Sequence, residues 1–315
     1  MARPHIGFGK LILFGEHFVV YQRPSLVGAL EAYTSCSVQL GPEDGWSCGL
    51  VVVDNRPAVP GYKDEKKDEM IAATKLVLAH FGVNPDKRSV VVEFGGPLCA
   101  VSGVGASAAS CVALARALGQ ALGLKLTEEQ VNAAAYEGEK GYHGTPSGID
   151  NTAATYGGLL VFERQANGPP KFETRSLPSP CRIVFASTGI TSSTTQVVGD
   201  VAKKRAADPK WYADLERRYD AVFAKAQQAI SKGDWATVGK LADENHALLQ
   251  QLGVSCKELD DLVSEARRAG ALGSKLAGTG RGGLMFAICK DEASQQRVLE
   301  ALERKAPQAW KTSFL

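Results

Sequence analysis

The chain has 315 residues, 44% of them apolar and 22% charged, so it can bury the core of one large domain or of two smaller ones. Its formal net charge of +2, from 36 basic and 34 acidic residues, provides no overall field that would attract nucleic acid or an anionic membrane. No apolar run reaches the ~20 residues of a membrane-spanning helix, and the seven cysteines, without a C-x-x-C or an accompanying H-E-x-x-H, disfavour a disulfide scaffold and a zinc site.

Strand-like and helix-like segments alternate in the first half of the chain. Their apolar patterns predict strands at 34–40, 50–53, 89–94 and 158–162 and helices at 64–81 and 107–122. The first two strands flank the turn-rich stretch GPEDGWSCG, as the two strands of a hairpin would. Thr127 starts a further helix, since Gln130 three positions later completes a capping box.

The second half begins after a turn-rich stretch with four prolines, QANGPPKFETRSLPSP at 165–180. This stretch predicts the boundary between an N-terminal domain, 1–180, and a C-terminal domain, 181–315. Beyond it, strands are predicted at 182–187 and 284–289, and helices are predicted to open at Asp208-Pro209, Asp234 and Asp291. The order of these elements indicates an α+β fold.

Glycine is in excess, at 33 of 315 residues, and the excess is concentrated in a few clusters. One of them, GGPLCAVSGVGASAAS, leads into the helix predicted to begin near Ser107. Backbone amides at a helix N-terminus, with no Cβ to hold a ligand away, form an anion site. Ser107 and Ser110 add hydroxyls that can reach a phosphate or a metal. An isolated G-x-G is more often a tight turn, but the small residues that follow here favour a close backbone approach.

The same cluster satisfies a loose dinucleotide-binding fingerprint, G-x-G-x-x-A, from Gly103 to Ala108. No clear strand runs into it, and the acidic residue expected ~20 positions later falls inside the next helix. A second match, from Gly278 to Gly283, precedes a strand where the fingerprint requires a helix. Neither stretch therefore predicts a dinucleotide site.

Three charged residues near the glycine clusters have both an ordinary and a functional interpretation. Lys10 follows Gly7 and Gly9 and would ordinarily be a solvated lysine at a strand edge. Asp150 would ordinarily cap a helix, and Glu139 would ordinarily be solvated at a helix end. Together with the glycine loop, they supply what phosphoryl transfer requires: a phosphate cradle, oxygen ligands for a hard cation, a carboxylate that orients a hydroxyl, and a nearby positive charge.

Taken together, the clusters resemble the sequence motifs of GHMP-type small-molecule kinases. GKLILFGEHFVV resembles the first motif, GVGASAA the second and KLAGTGRGG the third, in family order over nearly the whole chain. Within that superfamily, GEHFVV and HGTPSGIDN with its trailing YGG resemble the branch that phosphorylates mevalonate. The resemblance implies a two-domain GHMP kinase-like α+β fold, with an N-terminal mixed α/β domain and a C-terminal ferredoxin-like domain.

The resemblance also implies an activity, which is transfer of the γ-phosphoryl group of ATP to the primary hydroxyl of mevalonate, with Mg²⁺ as the metal. By motif position, Asp150 and Lys10 match the catalytic pair, and Ser107 and Glu139 match the metal ligands. The implied ATP-binding residues are Gly103, Val104, Gly105, Ala106, Ser107, Ala108 and Ser110. The implied substrate-binding residues are Glu16, His17, Lys10, Asp150, Gly278 and Thr279.

The sequence departs from the family pattern at several motif positions. Ala106 stands where the family has a serine, and Ala277 and Leu284 replace a threonine and a small residue in the third motif. Arg281 replaces a glycine there, so it either clashes with a glycine conformation or places a further cation near the phosphates. This departure bears on nucleotide affinity and on inhibition by isoprenoid diphosphates.

Two other functions stay open from the sequence. One is a different kinase of the same superfamily, acting on phosphomevalonate, homoserine or a sugar, and the other is a binding or regulatory protein that kept the fold. The expected partners are small molecules, with no nucleic acid and no membrane, and a homodimer is left open. The chain lacks an S-K-L ending and has little room for a transit peptide before the first motif, so the cytoplasm is the expected location.

Overall fold

The computed structural model describes residues 5–43, 48–101, 103–165 and 170–314, which pack as two compact units. Unit 1 comprises Met1–Lys10 and Ala29–Gly157, and unit 2 comprises Leu11–Gly28 and Gly158–Leu315. Strands β1 (Ile6–Phe14) and β2 (Ser25–Leu40) each contribute residues to both units. The division of the chain into domains 1–180 and 181–315 stays a prediction.

Unit 1 is a mixed α/β unit. Besides its parts of β1 and β2, it contains β3 (Gly49–Asp54), α1 (Tyr62–Glu65), α2 (Lys67–His80), β4 (Ser89–Gly95), α3 (Ala106–Ala121), α4 (Glu128–His143) and α5 (Ile149–Tyr156). Strand β4 is parallel to β3 and antiparallel to β2. Its buried residues Val90, Val92 and Phe94 alternate along the strand, so one face of the sheet packs on the helices.

The hairpin predicted for residues 34–40 and 50–53 is wrong, because β2 and β3 are not neighbours. Both segments form strands, but Val92 of β4 lies between them, opposite Val38 of β2 on one side and Val52 of β3 on the other. Part of the predicted turn, 44–47, lies outside the described residues. A turn-rich stretch predicts that the chain reverses, but it does not determine which strand pairs with which.

Helix α3 is the centre of unit 1. Thirteen of its sixteen residues are buried, so the helix is surrounded on all sides by α2, α4, α5 and the sheet. Strand β1 approaches it closely at Gly7, where a Cβ would lie 2.2 Å from the carbonyl oxygen of Ala109. The absence of a side chain at Gly7 therefore allows β1 to lie against the first turns of α3.

Unit 2 contains a four-stranded antiparallel sheet covered by helices. Its elements are a short 3-10 helix (Phe18–Tyr21), β5 (Leu159–Glu163), β6 (Lys171–Arg175), β7 (Arg182–Ser187), α6 (Thr194–Ala207), α7 (Pro209–Ser231), α8 (Trp235–Leu252), α9 (Lys257–Arg268), β8 (Gly273–Ala277), β9 (Leu284–Cys289), α10 (Glu292–Glu303) and β10 (Gln308–Ser313). The strand order is β10-β7-β9-β8, which confirms the predicted ferredoxin-like arrangement. None of the helices in the described ranges is long and apolar enough to cross a bilayer.

Polar side chains start several helices where the sequence predicts them. The caps are Thr127 on the amide of Gln130, Asp208 on that of Trp211, Asp234 on that of Thr237 and Asp291 on that of Ser294. Each accepts a hydrogen bond from an amide that the helix itself leaves without a partner. The predicted starts of α4, α7, α8 and α10 are thereby confirmed.

We expect Thr127→Ala to lower the free energy of unfolding by about 1 kcal/mol, because it removes the hydroxyl that accepts from the Gln130 amide at 3.3 Å. Urea unfolding of the two proteins measures the difference. Lys125→Ala, at an exposed position two residues earlier, is the control. Equal losses in both variants would contradict a capping role for Thr127.

Candidate active site

Lys10 is a buried lysine on β1 rather than a solvated one at a strand edge. Its backbone amide donates to the carbonyl of Val104 at 2.8 Å, which joins the strand to the glycine loop. Its ammonium lies 3.1 Å from Oδ1 of Asp150 and donates to the carbonyl of Gly103 at 3.4 Å. The charge of Lys10 is therefore held between the loop and a carboxylate.

The glycine loop turns sharply into α3. Gly103 and Gly105 have φ values of 100° and 69°, which favour glycine. A Cβ on Gly105 would lie 2.7 Å from Cγ of Lys10, so the loop and the lysine side chain meet only because this position is glycine. Gly105 caps α3 without a side chain, and the first-turn amides that follow, from Ala106 to Ala108, stay available to an anion.

Asp150 lies in the first turn of α5 but does not cap it. The N-cap is Gly148, with a φ of 82°, and no side-chain cap is present there. The ordinary interpretation of Asp150 as a helix cap is therefore wrong. About a quarter of the side chain, 24%, is exposed, so the carboxylate that contacts Lys10 also has access to solvent.

Glu139 is buried near the end of α4, so the ordinary interpretation of it as a solvated residue is also wrong. Burial and, to a smaller extent, the charge of Asp150 raise the pKa of its carboxyl group to about 8, although a hydrogen bond with Ser107 and the charge of Lys10 act in the opposite direction. Its Oε1 atom has no hydrogen-bond partner among the residues that the structure describes. A buried carboxylate of this kind is stabilised in its charged form when a cation lies beside it.

The predicted magnesium ligands, Ser107 and Glu139, fit a hard cation. A hydroxyl and a carboxylate with a free oxygen face each other, and Mg²⁺ prefers oxygen ligands, usually with few from the protein. No cluster of three or more His, Cys, Asp or Glu side chains suited to a metal occurs in the described ranges. The arrangement therefore suits a cation that takes its other ligands from a phosphate and water.

We expect the stability of the metal-free protein to fall with increasing pH between about pH 5 and 8. The folded-state pKa of Glu139, about 8, lies above the ordinary value of 4.5, so the folded state binds the extra proton in this window and loses it as the pH rises. Urea unfolding in the presence of a chelator measures the slope.

Glu139→Gln is expected to flatten this slope, because glutamine does not titrate. Glu137→Gln, a change at a partly exposed residue on the same helix that contacts Lys140, is the matched control and should keep the slope. A slope unchanged in Glu139→Gln would show that the carboxyl group titrates normally.

Ser110 lies one helical turn beyond Ser107 and is buried. Its hydroxyl donates to the carbonyl of Ala106 at 2.7 Å and accepts from Arg56 at 2.7 Å. The predicted contact of this hydroxyl with ATP therefore competes with two hydrogen bonds inside the unit. Val104, also predicted at the ATP site, contributes its carbonyl to the pairing with β1.

Within unit 2, the predicted substrate-binding residues Glu16 and His17 contact the strand and loop of the third motif. The Glu16 carboxylate forms an ion pair with Lys275 on β8, and both side chains are fully buried. Nε2 of His17 lies 2.8 Å from the carbonyl oxygen of Thr279. The hydroxyl of Thr279 in turn lies 2.8 Å from that of Thr194.

The hydrogen bond of His17 determines which of its ring nitrogens carries the proton. Burial lowers the pKa of His17, and the charges of Arg281 and Lys275 lower it further, so the ring is neutral near pH 7. A carbonyl oxygen only accepts, so Nε2 carries the hydrogen and Nδ1 is an acceptor. Nδ1 could therefore accept a hydrogen bond from a hydroxyl group.

Arg281 adopts the glycine-like conformation of the third motif, with a φ of 53°. Its guanidinium forms an ion pair with Asp200 on α6 at 2.7 Å and donates to the carbonyl of Gly253 at 3.1 Å. Its backbone amide donates to the carbonyl of Val254 at 2.8 Å. The substitution of glycine by arginine is thus accommodated, and its charge is paired inside unit 2.

Lys275 is not among the residues that the sequence motifs indicated for the site. The residue occupies a buried strand position between Ser274 and Leu276, and it is the first residue of the third motif. A lysine inside a short buried strand is the one signal of a charge partner, because charged residues are rarely buried unless they are paired. Its partner lies 259 positions away in the sequence, so the pattern could not show which carboxylate it meets.

We expect Lys275→Met to lower the free energy of unfolding by about 3–5 kcal/mol, because it removes the ammonium that the buried Glu16 carboxylate contacts. The double variant Glu16→Gln/Lys275→Met should recover most of this loss, since neither charge is left in the interior. Denaturant unfolding of the three proteins tests this. A double variant no more stable than the single one would show that the pair is not coupled.

The fold and the glycine loop are those of a GHMP kinase, and comparison with known protein families identifies the same class. The models described as GHMP kinases N terminal domain and GHMP kinases C terminal match residues 69–158 and 226–308. The first match contains the glycine loop, Glu139 and Asp150. The second contains α8, α9, the ion-paired Lys275 and the third motif.

Mevalonate kinases are similar to this chain over nearly its whole length. The mevalonate kinase of Thermococcus gammatolerans is 32% identical, with 91% of this chain and 89% of that protein covered, and that of Aeropyrum pernix is 33% identical, with 97% and 94% covered. The crystal structure of L. major mevalonate kinase in complex with R-mevalonate is 42% identical and has a TM-score of 0.94, covering 100% of this chain and 96% of that chain. The chain belongs to the mevalonate kinase family of GHMP kinases.

Proposed function

We propose that this protein transfers the γ-phosphoryl group of ATP to the primary hydroxyl of mevalonate, giving 5-phosphomevalonate and ADP. The observation that carries the proposal is the ion pair of the buried Lys10 with the partly exposed Asp150, beside a glycine loop with free helix amides. Phosphoryl transfer requires this combination of a carboxylate, a cation and a phosphate cradle. The family membership and the 42% identity to L. major mevalonate kinase support mevalonate as the acceptor.

Asp150 would orient the acceptor hydroxyl and take its proton. Its carboxylate is partly exposed, so it can contact a bound substrate while one oxygen stays near Lys10. The Lys10 ammonium would stabilise the negative charge that develops on the transferring group. Because Lys10 is fixed by its backbone and by Gly103, it does not have to reorganise during the reaction.

The ATP phosphates would lie on the amides of the loop from Gly103 to Ala108, where the helix N-terminus favours negative charge. Ser107 and Glu139 would hold Mg²⁺, which offsets the charge of the phosphates. Glu139 would then lose the proton that its raised pKa retains without a cation. The catalytic and the metal-binding carboxylates thereby differ in environment, one partly exposed and one buried.

The second group of residues, in unit 2, is proposed to contribute to substrate binding. Glu16, His17, Gly278 and Thr279 stay predicted substrate contacts. The resemblance of their motifs supports them, as do the contacts of Glu16 with Lys275 and of His17 with Thr279 in the third motif. The neutral His17 offers Nδ1 as an acceptor, which suits a hydroxyl-bearing substrate such as mevalonate. Location in the cytoplasm also stays a prediction, and a homodimer stays open.

We expect Asp150→Asn and Lys10→Met to lower kcat by about 10²- to 10⁴-fold, because each removes a charge that acts on the reacting groups. The assay is ADP release from MgATP with mevalonate, phosphomevalonate, homoserine and galactose offered in parallel. Asp86→Asn, at an exposed position in the same unit, is the control and should leave turnover unchanged.

Turnover of mevalonate alone would support the proposal. Turnover of another acceptor instead would reassign the protein within the GHMP kinases. An ATP-induced rise in melting temperature without turnover of any acceptor would favour a binding protein. Near-normal turnover in Asp150→Asn would remove Asp150 from its proposed role.

A further inference from the structure

Arg56 follows strand β3 and reaches the first turns of helix α3. Its Nη1 atom donates to the carbonyl of Ala106 at 2.9 Å and to Oγ of Ser110 at 2.7 Å. Its Nε and Nη2 atoms donate to the two carboxylate oxygens of Asp54, at 2.9 and 2.8 Å. The Arg56 side chain is only 3% exposed, so these bonds are made away from water.

We infer that Arg56 is a positioning residue for the nucleotide loop, an inference that rests on the proposed function. The carbonyl that it holds belongs to Ala106, which directly precedes Ser107 at the start of α3. Ser107 is a proposed metal ligand and lies in the turn whose amides are proposed to bind phosphate. A displacement of the Ala106 peptide therefore moves the hydroxyl of Ser107 and the loop amides together.

Arg56 acts through geometry rather than through its own charge. Asp54 binds the guanidinium with both oxygens, which neutralises the arginine and leaves its remaining Nη1 hydrogens for α3. The planar guanidinium fixes both sets of bonds in one orientation. A lysine carries the same charge but lacks this fork, so it cannot hold Asp54 and the helix at the same time.

Arg56 also lies close to Ser107, because both residues line the same cavity. Arg56 and Ser107 line one small cavity of unit 1, together with Lys63, Lys66 and Met70. Lys63 also donates to the backbone carbonyl of Asp54 at 2.8 Å. The Asp54–Arg56 pair is thus fixed by a hydrogen bond from Lys63 as well as by its hydrogen bonds to α3. A change at Arg56 therefore alters the cavity that Ser107 also lines.

The test compares Arg56→Lys with Arg116→Met. Arg116 is a buried arginine of α3 itself, well beyond the first turn, and it donates to the carbonyl of Thr155 at 2.8 Å. Both variants are expected to lower the melting temperature. Only Arg56→Lys is expected to raise the KM for MgATP, by roughly 10- to 100-fold, while the KM for mevalonate stays within about twofold. The milder variant Ser110→Ala should raise the KM for MgATP in the same direction and by less.

Calorimetric titration with a non-hydrolysable ATP analogue gives a second readout that requires no acceptor. A weaker affinity in Arg56→Lys, with unchanged affinity in Arg116→Met, would support the inference even if the acceptor were not mevalonate. Equal affinities in wild type and Arg56→Lys would overturn it and leave the arginine a structural residue. A wild-type protein that binds no ATP would overturn both the inference and the proposed function.

Discussion

The ion pair between Lys10 and Asp150 is the interaction on which the organisation of unit 1 depends. A lysine ammonium this deeply buried needs a carboxylate and hydrogen-bond acceptors close by, and it obtains them from α5 and from the glycine loop. Two positions without side chains make that possible. Gly7 allows β1 to lie against α3, and Gly105 leaves space for the lysine stem. The position of the Lys10 charge therefore depends on the backbone at Gly7 and Gly105.

Other buried charges of the chain follow the same physical rule. Glu139 keeps a carboxyl group in the interior beside Asp150, and Lys275 keeps an ammonium against Glu16. Such groups add little to folding stability compared with apolar residues of similar size, because desolvation offsets most of their attraction. Perturbed ionisable groups of this kind cluster at functional sites. Their presence in both units agrees with a protein whose interior is arranged for chemistry on charged ligands.

Local sequence signals predicted the boundaries of elements well and their partners poorly. Capping residues such as Asp208 gave the correct helix starts, because a cap acts over three or four residues. The pairing of β3 could not be predicted in this way, since its neighbour β4 is a later segment of the chain. The burial of Glu139 and the contacts of Arg56 likewise could not be predicted from the sequence, because each depends on side chains that only the fold brings close together. The motif resemblance supplied the candidate residues, and the fold supplied their environments.

The conformation of Arg281 has a consequence for how the third glycine cluster meets a ligand. Glycine residues lose much conformational entropy when a loop becomes ordered, so ordering a glycine loop on ligand binding lowers the affinity. Here an arginine restricts the backbone at one of those positions, and its contacts with Asp200 and Gly253 tie the loop to two helices. The conformational entropy of this segment is reduced before any ligand arrives. The loop is thus preorganised for ligand binding, because Arg281 has less backbone freedom than a glycine would have at this position.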